Sequence, residues 1–378
     1  MVEYPFLNLD MINAPYADEM KKAAARVIDS GRFIGGGEVT MLENDLADLV
    51  KAPFAVGTSN GLDALRLILE GYKQLGRLKD GDEVLVSGNT YVASALAVSQ
   101  VGLRPVPVEP SPETMNITAE SIDAAVTGKV KAVMPVHLYG RVAWDKDIAD
   151  VCACHGLLVV EDAAQAIGAR SVIPGMNGSD YAGALGHAGA FSFYPTKNVG
   201  ALGDAGAVVT NDEELAHIVR ALANYGSDRR YHNIYRGYNC RLDPIQAAFL
   251  RIKLKDVKDV NQRRRLRAEA YSRLIISPYV TVPVMPADGD AHVWHQYVVR
   301  VHDGLRDAFR GYLLDNGVET DVHYPVPFYR QPCYAGLNIG ELPVCDRLAG
   351  EIVSLPVSDC TRLADVEKIA EIINSFSV

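Results

Sequence analysis

The sequence lacks the features that mark membrane, secreted or nucleic-acid-binding proteins. Its 378 residues contain no apolar run near the ~18 residues of a membrane helix. The segment Met1–Pro5 has neither the basic nor the apolar region of a signal peptide. Lys and Arg (37) are outnumbered by Asp and Glu (47), and the net charge of −10 disfavours a phosphate backbone as ligand. Six scattered cysteines are typical of reduced thiols. We therefore expect a soluble, cytoplasmic protein that binds neither membrane nor nucleic acid.

The composition is that of an ordinary globular protein, with 48% hydrophobic and 22% charged residues. Along the sequence, short apolar runs alternate with helical patterns. The β-rich runs are Glu83–Ser87, Lys131–Val136 and Leu157–Val160, and the helical stretches between them are Ser94–Val101 and Trp144–Cys154. Apolar strands separated by helices are typical of a mostly parallel sheet covered on both faces. The sequence therefore predicts an α/β fold.

The pattern changes after residue 250. Asn261–Ile275 has the pattern of a long charged helix, and its arginine-rich stretch is either an anion-binding patch or a solvated helix face. The acidic balance of the chain favours the solvated face. His295–Val301 resembles a strand and Leu363–Phe376 a closing helix. We therefore predict a large α/β domain over residues 1–250, which includes the N-terminal segment, and a smaller α+β domain over residues 251–378.

A lysine in a turn of small residues is the first candidate for chemistry. The apolar run Ala188–Phe193 leads to Lys197, and glycines follow at Gly200 and Gly203. A lysine close to apolar surface can lose its proton and form a Schiff base with a carbonyl compound. The alternative is an ordinary solvated turn lysine.

An acid at the end of a predicted strand is the second candidate. The stretch Leu158–Gln165 places Asp162 at the carboxyl end of a strand, where open α/β sheets bind ligands. A buried carboxylate there needs a cationic partner. A protonated pyridine nitrogen is such a partner, and its charge makes the ring an electron sink. Taken alone, Asp162 could also be the N-cap of a helix that begins at Ala163.

Small and polar residues in Val56–Leu65 lead directly into a helical pattern. The free N–H groups and dipole of such a helix N-terminus bind phosphate without a lysine, although the same residues could be a simple cap. The stretch does not fit the Walker A phosphate-binding motif of nucleoside triphosphatases. Together, a phosphate turn, an acid and a Schiff-base lysine in this order indicate pyridoxal 5'-phosphate (PLP).

The sequence resembles the DegT/StrS-type PLP-dependent sugar-nucleotide aminotransferases, which have the aspartate-aminotransferase (type I PLP) fold. The motifs that carry the resemblance are Glu161–Gln165, Ser192–Gly203 and Gly237–Asp243. It extends from Ser30–Ile34 to Ser354–Pro356, nearly end to end. The stretches Ser59–Leu65 and Asn89–Ser94 are closest to the branch that aminates dTDP-3-keto-6-deoxyhexoses at carbon 3.

The resemblance implies which residues contact the cofactor ring. Lys197 would be the Schiff-base lysine and would also carry the proton between the amino donor and the cofactor. Asp162 would pair with the pyridine nitrogen, and Gln165 would hydrogen-bond the ring hydroxyl. Tyr91 would stack on the ring face.

The resemblance also implies how the cofactor phosphate is bound. Ser192 and the turn formed by Ser59, Asn60 and Gly61 would hold it from one subunit. Asn239 would reach it from the other subunit, so the protein is expected to be a homodimer with shared active sites.

For the sugar nucleotide, the resemblance points to Tyr194, Arg230, His323 and Tyr324. A pyrophosphate needs cationic or multiple-donor partners, which these residues would supply. The branch is expected to carry lysine at the position of Arg230, and the neighbouring Arg229 leaves the register open. His323 has the alternative of being a packed, hydrogen-bonded histidine.

The function implied is transfer of an amino group from glutamate to a nucleotide-linked keto-deoxy sugar in deoxyamino sugar biosynthesis. Pyridoxamine 5'-phosphate would be the intermediate form of the cofactor. The alternatives are the same chemistry on a 4-keto sugar and a regulator that binds PLP without turnover. The related sugar dehydratases carry histidine in place of Lys197, and no glycine-rich fingerprint for a nicotinamide enzyme is present. No metal is expected, since the spacing of Cys152, Cys154 and His155 matches no standard zinc pattern.

Overall fold

A computed structural model describes residues 2–337 and 339–377. The strands of these residues, numbered β1 to β12 in chain order, are Phe54–Thr58, Glu83–Ser87, Arg104–Val108, Val130–Met134, Leu158–Asp162, Ala188–Ser192, Gly206–Thr210, Ser227–Arg229, His232–Asn233, Val280–Thr281, Tyr297–Val301 and Ile352–Leu355. Their α-helices, numbered α1 to α13, are Leu9–Asn13, Ala17–Ser30, Gly37–Val50, Gly61–Gln74, Val92–Gln100, Ala119–Ala125, Lys146–His155, Glu213–Ala223, Pro244–Leu254, Val257–Leu274, Arg306–Asp315, Pro343–Glu351 and Leu363–Asn374. None of these helices is long and apolar enough to cross a bilayer.

The main sheet has seven strands in the order β1-β7-β6-β5-β4-β2-β3. The pairs of β2 with β3 and β4, of β4 with β5, and of β5 with β6 are parallel. β7 runs antiparallel to both of its neighbours, β1 and β6. This architecture confirms the predicted mostly parallel mixed sheet, and it brings the carboxyl ends of β1, β5 and β6 to one edge.

Helices cover both faces of this sheet because its strands are apolar on both sides. In β2, Val84 and Val86 pack in the cluster formed with α4, α5 and α8. Leu85, between them, points to the opposite face and packs with α6 and α7. Towards β1 and β7, that opposite face is covered by α3 and α9. The alternation follows from the two-residue repeat of a strand.

A second, antiparallel sheet has the order β10-β11-β12. It packs with α10, α11 and α13 around a core that includes Tyr271, Trp294 and Phe309. Tyr4 of the N-terminal segment joins the same core, and its N–H donates to the carbonyl of Gly317. Residue 250 lies inside α9, and the division into domains at this point stays a prediction.

The arginine-rich stretch of α10 differs from its prediction as a solvated face. Arg264 and Arg267 are only 4% and 8% exposed. Arg264 donates to the carbonyls of Trp294 and His295, each at 3.1 Å, and Arg267 donates to Asp359 at 2.9 Å. The prediction is wrong for Arg264 and Arg267, because their guanidinium groups find carbonyl and carboxylate partners in distant segments, which the local pattern does not reveal. Arg263 of the same stretch is exposed, as predicted.

Candidate active site

The predicted site residues meet at the edge where the parallel strands end. Asp162 is the last residue of β5, and Ser192 is the last residue of β6. Gly206, the first residue of β7, pairs with Ser192 on one side and with Thr58, the last residue of β1, on the other. The register of three strands therefore places the turn after β1 next to Ser192.

A close backbone contact shapes the turn between β1 and α4. A Cβ atom on Gly61 would lie 2.7 Å from the Cβ of Ser192, and one on Gly206 would lie 2.4 Å from the carbonyl carbon of Asn60. Asn60 caps α4 by accepting a hydrogen bond from the N–H of Asp63 at 2.8 Å. The N-terminus of α4, with its free N–H groups, is therefore held against the end of β6.

The side chains of this turn point back into the turn. Ser59 donates its hydroxyl to Asp63, and the amide nitrogen of Asn60 lies 3.0 Å from the same carboxylate. The donors left for a phosphate are the backbone N–H groups at the start of α4 and the hydroxyl of Ser192. That hydroxyl accepts a weak hydrogen bond from the N–H of Tyr194 at 3.3 Å.

Lys197 lies half-buried in the turn that follows β6. Burial lowers the pKa of Lys197 to about 8, and the negative charge of Asp162 opposes this shift. The two predicted groups therefore interact electrostatically. An amine with this pKa is partly deprotonated near neutral pH, which is the state that Schiff-base formation requires.

Two distant segments hold the Lys197 turn in place. The next residue, Asn198, donates its amide to Asn261 of α10 at 2.9 Å. Lys253 of α9 donates to the carbonyl of Gly200 at 2.6 Å. The lysine is therefore carried on a turn fixed by both α9 and α10, although the motif around it gave no sign of these partners.

Asp162 is 6% exposed and its carboxylate is oriented by two donors. The hydroxyl of Ser94 donates to one oxygen at 2.7 Å, and the N–H of Ala164 donates to the other at 3.1 Å. The residues after Asp162 form turns, so none of the described helices begins here and the alternative of a helix N-cap is wrong. Sequence reasoning missed Ser94, although it lies in a stretch that carried the resemblance.

Next to Asp162, a fully buried pair of hydrogen-bonded side chains, Glu161 and His137, fixes the end of β5. The carboxylate of Glu161 accepts three N–H groups of the 183–186 turn at 2.7–2.8 Å. It is also 2.8 Å from Nε2 of His137. Nδ1 of His137 accepts the N–H of Ala143, so the ring proton lies on Nε2 and is donated to Glu161. These bonds satisfy the buried charge and hold the strand that presents Asp162.

Three further predicted residues form one wall of the site. The amide oxygen of Gln165 accepts the N–H of Tyr139 at 2.5 Å, and its amide nitrogen donates to the hydroxyl of Tyr324 at 3.1 Å. The rings of Tyr324 and Tyr91 lie 5.0 Å apart. Burial and the nearby charge of Asp162 raise the pKa of Tyr324, which keeps its hydroxyl protonated.

His323 is half-buried and hydrogen-bonded, and its two interpretations both stay predictions. Its Nδ1 lies 2.8 Å from the hydroxyl of Ser354, and its ring stacks on Phe6 at 5.8 Å. Burial and the charge of Lys197 lower the pKa of His323, against the opposing effect of Asp321. The imidazole therefore lies within electrostatic reach of the Lys197 amine.

The structure leaves three predicted residues on the surface of the single chain. Tyr194 is 52% exposed. Arg230 lies in the exposed hairpin of β8 and β9, where its guanidinium stacks on the ring of Tyr231 at 4.8 Å. Asn239 is exposed as well. Arg229 closes β8 just before Arg230, so both arginines are presented by the same hairpin.

Within residues 2–337 and 339–377, no three His, Cys, Asp or Glu side chains are grouped as metal ligands would be. Cys152 is buried in α7, Cys154 is exposed, and Nε2 of His155 lies 2.7 Å from Asp123. Cys152 therefore packs in the interior, and His155 makes a surface contact.

The residues at this edge fit PLP. A glycine-lined helix N-terminus suits its phosphate, an oriented carboxylate suits its pyridine nitrogen, and a lysine of lowered pKa suits its aldehyde. The fold and the site together define a PLP-dependent enzyme of the aspartate-aminotransferase type. The DegT/DnrJ/EryC1/StrS aminotransferase family matches residues 16–374, and the chain belongs to this family. It is an aminotransferase, and PLP is its cofactor.

Individual relatives match along nearly the whole chain. A protein of Aneurinibacillus thermoaerophilus, named dTDP-3-amino-3,6-dideoxy-alpha-D-galactopyranose transaminase, is 43% identical over 372 residues, which cover 98% of this chain and 99% of that protein. The crystal structure of S. venezuelae DesV in complex with a ketimine intermediate has a TM-score of 0.91 and 39% identity, covering 99% of this chain and 98% of that one. NtdA from Bacillus subtilis, with bound cofactor PMP, has a TM-score of 0.88 and 27% identity, covering 99% and 86%.

Proposed function

We propose that the protein transfers the amino group of glutamate to carbon 3 of a dTDP-3-keto-6-deoxyhexose. The observation that carries the chemistry is the half-buried Lys197, whose pKa is lowered to about 8 beside the oriented carboxylate of Asp162. The choice of sugar is supported by the 43% identical relative, whose name is that of a dTDP-3-amino sugar transaminase.

In this proposal Lys197 does the covalent and proton-transfer work. Bound PLP supplies an electron sink that stabilises negative charge at the carbon bearing the amino group. Nζ of Lys197 would hold the cofactor between reactions. Once released, it would carry a proton from the carbon bearing the donor's amino group to the cofactor, and in the second half-reaction from the cofactor to the sugar carbon. An amine with a pKa near the working pH is suited to both directions of this transfer.

Asp162 and the wall of the site orient the ring. The carboxylate of Asp162 would accept the pyridine N–H, and Ser94 keeps this carboxylate in place by its 2.7 Å hydrogen bond. Gln165 has a second amide hydrogen available for the ring hydroxyl, because Tyr139 and Tyr324 use its oxygen and one hydrogen. Tyr91, which is 53% exposed at the mouth, is free to stack on the ring.

The sugar nucleotide is proposed to lie along Tyr194, His323 and Tyr324, with its pyrophosphate on the hairpin of β8 and β9. Arg230 is our choice for the pyrophosphate contact, since a planar guanidinium binds phosphate oxygens in pairs. Its exposure in the single chain supports a role at a subunit boundary.

We propose a homodimer in which each subunit lends Asn239 to the phosphate site of its partner. Support comes from the exposed position of Asn239 and from large apolar side chains left on the surface, among them Phe33, Ile34 and Ile234. We also propose a cytoplasmic location, because all six cysteines are unpaired, as is typical of a reducing compartment.

The experiment is a half-reaction followed by absorbance. The cofactor is converted to its pyridoxamine form with glutamate, the excess is removed, and dTDP-3-keto-6-deoxy and dTDP-4-keto-6-deoxy sugars are added separately. Return of the pyridoxal absorbance with the 3-keto sugar alone is the expected result. Return with the 4-keto sugar alone would keep the chemistry but contradict the position of amination. Retained cofactor that responds to no amino donor would favour a regulator without turnover.

A further inference from the structure

Arg66, in the second turn of α4, connects two parts of the chain that the proposed function assigns to different cofactor sites. Its Nη2 forms an ion pair with Asp63 at 2.5 Å and lies 3.2 Å from the sulfur of Cys240. Its guanidinium also lies over the ring of Tyr238 at 4.2 Å. One side chain therefore contacts both neighbours of Asn239.

On its other side, Arg66 is connected to the phosphate turn of its own subunit. One carboxylate oxygen of Asp63 accepts hydrogen bonds from the hydroxyl of Ser59 and the amide of Asn60. Its second oxygen pairs with Arg66. An unbalanced carboxylate beside a phosphate turn would repel the ligand. The positive charge of Arg66 offsets this carboxylate.

The backbone around Asn239 is held on two sides, while its side chain is left exposed. The N–H of Tyr238 donates to the carbonyl of Leu222 at 2.7 Å, and the N–H of Cys240 donates to that of Ala223 at 2.9 Å. The carbonyl of Cys240 in turn accepts the N–H of Ser59 at 2.9 Å. The segment is therefore a short bridge between α8 and the phosphate turn.

We propose that Arg66 is a positioning residue for cofactor binding across the subunit boundary. It fixes Tyr238 and Cys240, so that the Asn239 between them is presented to the phosphate held by the partner subunit. The proposal rests on the proposed function, which supplies the shared site. Phosphate binding in one subunit and the contact lent to the other are thereby linked through one guanidinium group.

The chemistry of the contacts explains why arginine is needed here. A planar guanidinium stacks on a ring and pairs with a carboxylate at the same time, whereas an ammonium group is a point charge without a planar face. We therefore expect Arg66→Lys to keep the balance of charge with Asp63 but to lose the hold on Tyr238. Its PLP affinity is expected to lie between those of the wild type and Arg66→Met.

The test is a double-mutant cycle with the PLP dissociation constant as its readout, measured by equilibrium dialysis on the full-length protein. We expect Arg66→Met and Asn239→Ala each to weaken PLP binding about ten-fold. The double variant should lose clearly less than the product of the two single losses, which is about a hundred-fold, because the part of the Arg66 effect that is exerted through Asn239 is already lost in Asn239→Ala. Arg330→Met is the matched control, since Arg330 also pairs with an aspartate and lies over a tyrosine ring at 5.3 Å. The PLP affinity of this variant should equal that of the wild type.

The possible results distinguish a failure of the role of Arg66 from a failure of the shared phosphate site on which it rests. Loss of affinity in Asn239→Ala but not in Arg66→Met or Arg66→Lys would overturn the role of Arg66 and leave the shared site standing. Multiplying losses in the double variant would overturn it too, since Arg66 would then act only through Asp63. Unchanged affinity in Asn239→Ala would reject both the shared phosphate site and the inference. Far-UV circular dichroism of each variant, with Arg66→Lys as the milder substitution, shows whether a loss comes from unfolding.

Discussion

Gly61 is the residue at which the geometry of the phosphate turn can be tested most simply. An alanine there would place its Cβ 2.7 Å from the Cβ of Ser192, which pushes the start of α4 away from the end of β6. We expect Gly61→Ala to weaken PLP binding at least about ten-fold, because the N–H groups and the serine hydroxyl no longer converge. Equilibrium dialysis measures the effect.

Gly128→Ala is the control for this substitution. A Cβ at Gly128 meets nothing within 4 Å, so the change from glycine to alanine alone is tested there. An affinity of Gly61→Ala equal to that of Gly128→Ala would show that the contact with Ser192 has no part in holding the phosphate.

The lowered pKa of Lys197 makes a prediction about the pH dependence of cofactor capture. Only the neutral amine attacks the aldehyde of PLP, and burial lowers the pKa of this amine to about 8. The rate at which the cofactor-free protein captures PLP should therefore rise with pH through about 8 and level off above it. Trapping the covalent product with borohydride at a series of pH values measures this rate. A rate that still climbs steeply near pH 10 would indicate an ordinary lysine.

At this scale, the sequence indicated the groups that lie in short local motifs. Lys197 and Asp162 were recognised because each follows an apolar strand at the ligand-binding edge of the sheet. Ser94 was missed because it lies 68 residues before the carboxylate it orients. His137 was missed for a similar reason, since its partner Glu161 is 24 residues away and only the pairing of strands brings them together.

Among the strands, the local sequence pattern predicts the bounds of β2 correctly but not those of β5. The run Glu83–Ser87 was predicted with its observed bounds, because β2 is buried along its whole length and ends at a glycine-containing turn. The run Leu157–Val160 was predicted too short, since β5 continues to Asp162 by pairing with β6. Pairing between strands that are distant in sequence is invisible to a local apolar pattern.

α9 carries a buried cation whose effect on stability depends on pH. Lys253 is 5% exposed, and burial lowers its pKa to about 8. The unfolded chain, with an ordinary lysine, binds the proton more tightly, so the free energy of unfolding rises as the pH increases from 8 towards 10.5. Between pH 8 and pH 10 this contribution is about 2 kcal/mol.

Denaturant titrations of the wild type and Lys253→Met at pH 8 and pH 10 test this prediction. The difference between their free energies of unfolding should change by about 2 kcal/mol in favour of the wild type at the higher pH. Lys255→Met is the control on the same segment, since Lys255 is exposed at the end of α9. A difference that is the same at both pH values would mean that Lys253 titrates as an exposed lysine.

For the whole molecule, the shared site predicts complementation between two defective chains. Lys197→Ala lacks the Schiff-base lysine, and Asn239→Ala lacks the contact lent to the partner. In a mixed dimer, one site carries both defects and the other carries neither. At a PLP concentration that loads the wild type but leaves Asn239→Ala largely without cofactor, random pairing of equal amounts should therefore restore about a quarter of wild-type activity, since half of the dimers are mixed and one of their two sites is intact.

Activity of the co-refolded chains, compared with the sum of the two variants refolded separately, checks this expectation. An activity equal to that sum would mean that each subunit builds its site alone. The mixture of tagged Lys197→Ala with untagged Lys197→Ala serves as a control for refolding losses.

For the whole molecule, the roles of residues at the subunit boundary come from the resemblance to the family and not from the local sequence pattern. Asn239 and Arg230 lie on exposed segments of one chain, so their roles depend on how two subunits meet. A pattern of apolar and polar residues encodes burial within a chain, and it marks these two positions only as surface. Their proposed roles come from the motif Gly237–Asp243 and from the hairpin that precedes it.

The most direct test of the account is a single half-reaction with glutamate. PLP-loaded protein is mixed with glutamate, and the 2-oxoglutarate formed is measured together with the loss of the pyridoxal absorbance. We expect one equivalent of 2-oxoglutarate per cofactor from the wild type and none from Lys197→Ala with the same circular dichroism spectrum. Formation of 2-oxoglutarate by Lys197→Ala at the wild-type rate would contradict the assignment of Lys197, and its absence from both proteins would contradict glutamate as the donor.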